Sequence, residues 1–195
     1  HVTLIDPDTV DASNLQRQVQ FQTDDLGQPK VEASARRFRA LNPHTDYAPV
    51  HAALTPSNAD ALLAGHDLIL DGTDDFSVRF AVNAAARRVG ARLVSGAIGR
   101  WSGQVTSFDF RPGATSPCYR CLVPEPPPGG ETCAEVGVIG ALAGVIGSQM
   151  ALEAIRQITG AGQDLVGRLW LFDGLSGQSR IVALARDPAC PECGD

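Results

Sequence analysis

The chain is 195 residues long, 44% hydrophobic and 19% charged, which suits one ordinary globular domain and excludes a disordered chain. Sixteen basic residues stand against 22 acidic ones, a formal net charge of −6. That balance argues against a general nucleic-acid binder, which needs a basic face to neutralise phosphates.

The first element, "HVTLID" (1–6), reads as a buried strand ending in a carboxylate, so a domain is expected to have begun before it. No basic leader precedes an apolar run, and a cytoplasmic location is expected. A helix follows over 28–41, a short strand over 46–50 and a small helix over 57–64. "DLILDGTD" (67–74) is a strand that runs out into acids, and 76–90 is an amphipathic helix stopped by Gly90. Strands are predicted at 91–99 and 103–110, and an antiparallel hairpin at 167–174 and 177–185. The alternation predicts an α/β fold, with a Rossmann-like, mostly parallel sheet flanked by helices and a C-terminal antiparallel strand pair. The whole of 1–195 is expected to be a single domain. Its low-complexity patch is "PEPPPGGE" (124–131), stiff and then flexible.

Residues 136–155, "VGVIGALAGVIGSQMALEAI", are apolar enough to raise the question of a membrane span. Interspersed glycines and the polar Ser148, Gln149 and Glu153 favour a buried helix instead, and no membrane association is expected. Gly140, Gly144 and Gly147 would allow close backbone approach, at a subunit interface or in plain core packing.

Four of the five cysteines form two Cys-x-x-Cys pairs, Cys118 with Cys121 and Cys190 with Cys193. An odd cysteine count in such pairs suits a reducing compartment and a metal better than a disulfide framework. Two knuckles of two sulfurs can close one tetrahedral Zn2+ site, which would be structural because no position stays open for water or substrate. Separate redox pairs or free thiols are the alternative. Cys133 is left outside the shell.

Ligands of an α/β sheet sit beyond the C-terminal ends of its strands. Asp6 ends the first strand, where a carboxylate can accept hydrogen bonds from both ribose hydroxyls. Asp71, Asp74 and Asp75 follow another strand; one of them suits a Mg2+ carried by a triphosphate, while Asp74 or Asp75 would equally cap the next helix. Asn14 and Arg17 lie in the polar run after Asp6, and Lys30 falls in the first turn of a helix. Cations there oppose the helix dipole, and an anion would resolve the mismatch.

Taken in order, "LIDPDTVDASNLQRQ", "GQPKVEA", "LNP", "DLILDGTDD", "PCYRCL", "TCAEVGVIGALAGVIGSQMALEAI", "LFDG" and "CPECG" resemble the adenylyltransferases of sulfur-carrier proteins, relatives of the ubiquitin-activating enzymes. The match spans the chain and looks like both the molybdopterin-synthase and the thiamine-biosynthesis branches, with "LFDGLSGQSR" leaning slightly to the latter. The resemblance implies a single adenylation domain that binds ATP and Mg2+ and adenylates the C-terminal Gly-Gly carboxylate of a small ubiquitin-like sulfur-carrier protein. By the same resemblance Asp6 would hold the ribose, Ser13, Asn14, Arg17 and Lys30 the phosphates, and Thr73 with Asp74 the nucleotide and its Mg2+. It places Cys133 in a loop crossing the active site, where the cysteine takes part in sulfur transfer in the thiamine branch and need not in the other; an incidental residue before a helix is the plain alternative. A glycine-rich phosphate loop is expected ahead of "HVTLID", and the family is a symmetric homodimer. Two other functions remain open: a non-catalytic scaffold that binds a ubiquitin-like partner, and an NAD-dependent dehydrogenase using Asp6 for its ribose.

Overall fold

The structure, a computed structural model, describes residues 1–126 and 137–194. It divides into two compact units, His1–Thr55 and Pro56–Asp195.

In the first unit β1 (Val2–Ile5) and β2 (Tyr47–Val50) pair in parallel, Val2 opposite Tyr47 and Ile5 opposite Val50. Parallel strands need a crossover, and α1 (Lys30–Leu41) supplies it. Before α1 the chain makes two 3-10 turns, Ala12–Asn14 and Thr23–Asp25. Asp11 accepts from the Ser13 amide at 2.8 Å while the Asn14 side chain accepts from the Asp11 amide at 3.2 Å, a reciprocal cap that fixes the first turn. Val10, Phe21 and Ala33 form the small core, with Leu15 against them.

The second unit holds a five-stranded sheet in chain order: β3 (Leu68–Asp71), β4 (Arg92–Ile98), β5 (Ser102–Asp109), β6 (Arg168–Asp173) and β7 (Gln178–Ala183). β3 and β4 are parallel, joined through α3 (Phe76–Val89), which follows the short α2 (Ala59–Leu63). The α/β class stands, but the sheet is less parallel than the sequence reading has it. Antiparallel pairing begins at β4–β5 and continues through β6–β7. The reason is length: residues 99–101 are too few for a crossover and can only turn the chain back.

Helix α4 (Tyr119–Leu122) is one turn capped by Cys118 and containing Cys121, and α5 (Gly140–Thr159) packs across β4 and β5. Leu142, Ile146 and Met150 of α5 meet Val94, Val105 and Leu165 in the main core. Two strand glycines let the helix settle: a Cβ at Gly96 would lie 2.2 Å from Met150 Sδ, and one at Gly103 2.3 Å from Ile146 Cδ1. Gly144 and Gly147 of the helix face open space, so their smallness does nothing for this core. Glu153, fully buried, accepts from Ser107 Oγ at 2.7 Å, the Leu165 amide at 2.7 Å and Gln157 Nε2 at 3.1 Å. A buried carboxylate is tolerated when hydrogen-bonded in this way, and here it staples α5 to β5. Among the described residues no helix is long and apolar enough to cross a membrane.

Candidate functional site

In the first unit the register of β1 and β2 brings Asp6 and His51 out together past the strand ends. Asp6 Oδ1 accepts from the Asp8 amide at 2.8 Å, and His51 Nε2 donates to the Pro7 carbonyl at 2.7 Å, so the turn after β1 is held from both strands. Burial raises the Asp6 carboxyl above the ordinary carboxylate value, against the opposing pull of the Asp8 amide and the Lys30 charge. A desolvated carboxyl aimed past a strand end is a strong acceptor for hydroxyl donors.

Lys30 opens α1, as the sequence predicts, and its Nζ lies 2.7 Å from Asp8 Oδ2. The mismatch between a cation and the helix dipole is therefore already answered by a carboxylate of the same unit. Asp6, Asp8 and Lys30 form one connected group. Ser13 and Asn14 lie in the first 3-10 turn and Arg17 just after it: Asn14 is buried in the cap, and Arg17 Nη1 donates to the Ser13 carbonyl at 2.9 Å.

In the second unit the acids after β3 have separate jobs. Asp71 is buried and accepts from both the amide and the hydroxyl of Thr73, at 3.0 and 2.8 Å. Asp75 is the N-cap of α3, accepting from the Ser77 amide at 2.6 Å and the Val78 amide at 3.3 Å. The Ser77 hydroxyl and amide hold its carboxyl below the ordinary carboxylate range. The cap thus belongs to Asp75. Asp74 is exposed, and among the described residues its carboxylate has no hydrogen-bond or ion-pair partner.

The two cysteine pairs converge. Cys118 Sγ lies 3.6 Å from Cys190 Sγ and Cys121 Sγ 3.4 Å from Cys193 Sγ, and all four sulfurs fall within 4.8 Å of one another. A tetrahedral zinc site with bonds of ~2.3 Å has sulfur–sulfur edges of ~3.8 Å, so the cluster has the size a metal requires. Burial drives the Cys118 thiol up; at Cys190 burial is outweighed by amides of Glu192 and Cys193, which bring it down to about 7. Gly194 is required beside the second knuckle, because a Cβ there would lie 2.5 Å from the Pro188 carbonyl. Cys133 lies outside the described residues.

Sequence reasoning passed over Arg79, which is buried behind the Asp74 loop and donates to the carbonyls of Thr73 and Gly96. The signal was present: Arg79, Val82, Asn83 and Ala86 fall at 0, 3, 4 and 7 along α3, and this is the stripe that is buried. A charge and an amide within an otherwise apolar stripe mark side chains with a structural assignment.

Comparison with known proteins adds the lineage. The chain is 43% identical over 198 residues to a sulfur carrier protein adenylyltransferase of Thermus thermophilus, covering 100% of this chain and 73% of that one. It is 43% identical over 194 residues to a molybdopterin-synthase adenylyltransferase of Escherichia coli, covering 100% of this chain and 77% of the relative. A crystal structure of E. coli MccB with MccA-N7isoASN superposes with a TM-score of 0.84 at 18% identity, covering 99% of this chain and 59% of that one. That likeness speaks for the fold. The ThiF family matches residues 1–192, and the chain belongs to the ThiF family.

Proposed function

We propose that the chain catalyses ATP-dependent adenylation of the C-terminal Gly-Gly carboxylate of a small ubiquitin-like sulfur-carrier protein, for molybdopterin or thiamine biosynthesis. The observation that carries this reading is the division of labour after β3: Asp71 and Asp75 are occupied, and Asp74 alone of the three is presented free at a strand end. The names of the relatives at 43% identity support the same chemistry.

In this reading residues 1–195 are a single adenylation domain. A carboxylate oxygen of the carrier attacks the α-phosphorus of ATP, the bond from that phosphorus to the oxygen bridging the β-phosphate breaks, and pyrophosphate leaves. Two anions must be brought together, so positioning and charge neutralisation supply most of the acceleration. Asp6 accepts from the ribose hydroxyls. Ser13, Asn14, Arg17 and Lys30 hold the phosphates, and Lys30 turns from Asp8 towards the triphosphate to do so. Asp74 would hold Mg2+, whose charge would offset that of the phosphates, and Thr73 would contact the nucleotide beside it. The four clustered cysteines would hold a structural Zn2+. Cys133 would act after adenylation, in sulfur transfer.

The chain works as a homodimer in this proposal. Gly144, Val145, Ser148, Leu152 and Ile155 leave an exposed stripe along α5, with Leu152 43% and Ile155 55% exposed, and a second copy would cover it. Sedimentation should give a dimer that Leu152→Glu dissociates; a monomeric parent chain removes this part.

ATP–pyrophosphate exchange tests the function. Exchange that depends on a carrier ending in Gly-Gly is expected, whereas carrier binding without exchange by the full chain would favour the scaffold. Cys133→Ala should leave exchange intact.

A further inference from the structure

Arg79 is 5% exposed, and among the described residues no carboxylate forms an ion pair with it. Burying a guanidinium without a counter-charge is costly, and such a residue persists where its donors are needed in fixed places. Its two terminal nitrogens donate to the β4 strand and to the loop before Asp74. Nη1 donates to Ser95 Oγ at 3.3 Å, and Nη2 donates to the Gly96 carbonyl at 2.7 Å and to the Thr73 carbonyl. The ring of Tyr119 covers the guanidinium at 5.8 Å.

Thr73 is consequently gripped from both directions. Asp71 takes its amide and hydroxyl hydrogens, and Arg79 takes its carbonyl, so the peptide leading into Asp74 is hydrogen-bonded from both sides. On the other side Asp75 is locked into the cap of α3. The anchoring point is itself rigid, since Met150 fills the space beside Gly96. Asp74 thus lies between two neighbours that are each held by several hydrogen bonds.

We infer that Arg79 is a positioning residue for the Asp74 carboxylate: it fixes the Thr73 peptide so that the oxygens of Asp74 are already in place for a divalent cation. The inference rests on the reading of Asp74 as the Mg2+ residue. Supporting groups of this kind govern metal affinity in proportion to how well they hold the ligating side chain.

The test measures Mn2+ binding by electron paramagnetic resonance to the full chain carrying a non-hydrolysable ATP analogue, beside the Mg2+ dependence of pyrophosphate exchange. Arg79→Met should weaken Mn2+ binding about tenfold or more, and raise the Mg2+ needed for half-maximal exchange by the same factor. Excess Mg2+ should restore the rate, with the KM for the carrier unchanged. Arg79→Lys retains the charge but not the fork of donors; it should fall between parent and Arg79→Met, and it decides the matter if Arg79→Met does not fold. Asp74→Asn separates the two claims. Should Asp74→Asn lose Mn2+ affinity while the Arg79 variants keep it, the positioning role is refuted and the Asp74 reading survives. Should Asp74→Asn bind Mn2+ as the parent does, the Asp74 reading falls and this inference with it.

Discussion

The second unit contains two places rich in metal-ligating side chains, and they differ in nearly every physical respect. At the cysteine cluster four sulfurs face one another, three of them on buried residues, and two arginine side chains brace the second knuckle: Arg186 donates to the Cys193 carbonyl, and Arg87 donates to the Glu192 carbonyl at 2.9 Å. Every ligand position there is taken by protein. After β3 the arrangement is the reverse. Two acids are consumed by local hydrogen bonds and the third is held out to solvent with its oxygens unclaimed. A closed set of ligands stabilises a fold, whereas an open ligand on a rigid turn can admit a substrate and its ion. On the proposed reading the closed cluster tethers the chain and the open acid is the one available for reaction.

The largest expected effect breaks the open side of this comparison. Asp74→Ala should lower carrier-dependent pyrophosphate exchange by roughly 10²- to 10³-fold, the loss seen when one preorganised charge-stabilising group is removed. Its melting temperature should stay at the parent value, because no hydrogen bond is broken. Calorimetry beside the exchange assay checks both halves, and a fall in stability equal to the fall in activity would erase the distinction.

The closed side should answer in the opposite way. Cys190→Ser removes one of the four clustered thiols, the one that the amides of Glu192 and Cys193 bring down to about 7. Zinc content measured by mass spectrometry should drop, and the melting temperature should fall by about 10 °C, or roughly 3 kcal/mol for a chain of this size. Exchange measured well below the new melting point should persist.

The smallest effect sharpens the boundary between neighbours. Asp75→Ala removes the α3 cap and should cost about 1 kcal/mol at neutral pH. The Asp75 carboxyl sits lower in the folded chain than in the unfolded one, so its contribution is present above the ordinary carboxylate value and is lost as pH falls through the depressed one. Urea unfolding of parent and variant should therefore converge in acid. A difference that grows in acid would contradict the cap.

Much of this was legible in the sequence. The knuckle spacing announced the thiol cluster, because two residues between cysteines suffice to put both sulfurs on one turn. Hydrophobic runs located every strand and major helix to within a few residues, and Gly90 marked the end of α3 with its left-handed φ of 71°. Strand–helix alternation predicted a largely parallel sheet, and the short gap between β4 and β5 is what makes that pair antiparallel.

What sequence alone determined was therefore composed of local rules: where strands and helices begin, which cysteines pair in spacing, and which acids follow strand ends. Those depend on residues a few positions apart. Only the tertiary structure decided which of three neighbouring aspartates is free, that Lys30 already faces Asp8, and that Arg79 is buried against the carbonyls of Thr73 and Gly96. Each of those outcomes turns on which donors reach a given carboxylate or carbonyl in space. Glu153 makes the point most simply, since a carboxylate within an apolar run could be understood only once Ser107 and the Leu165 amide were seen to meet it.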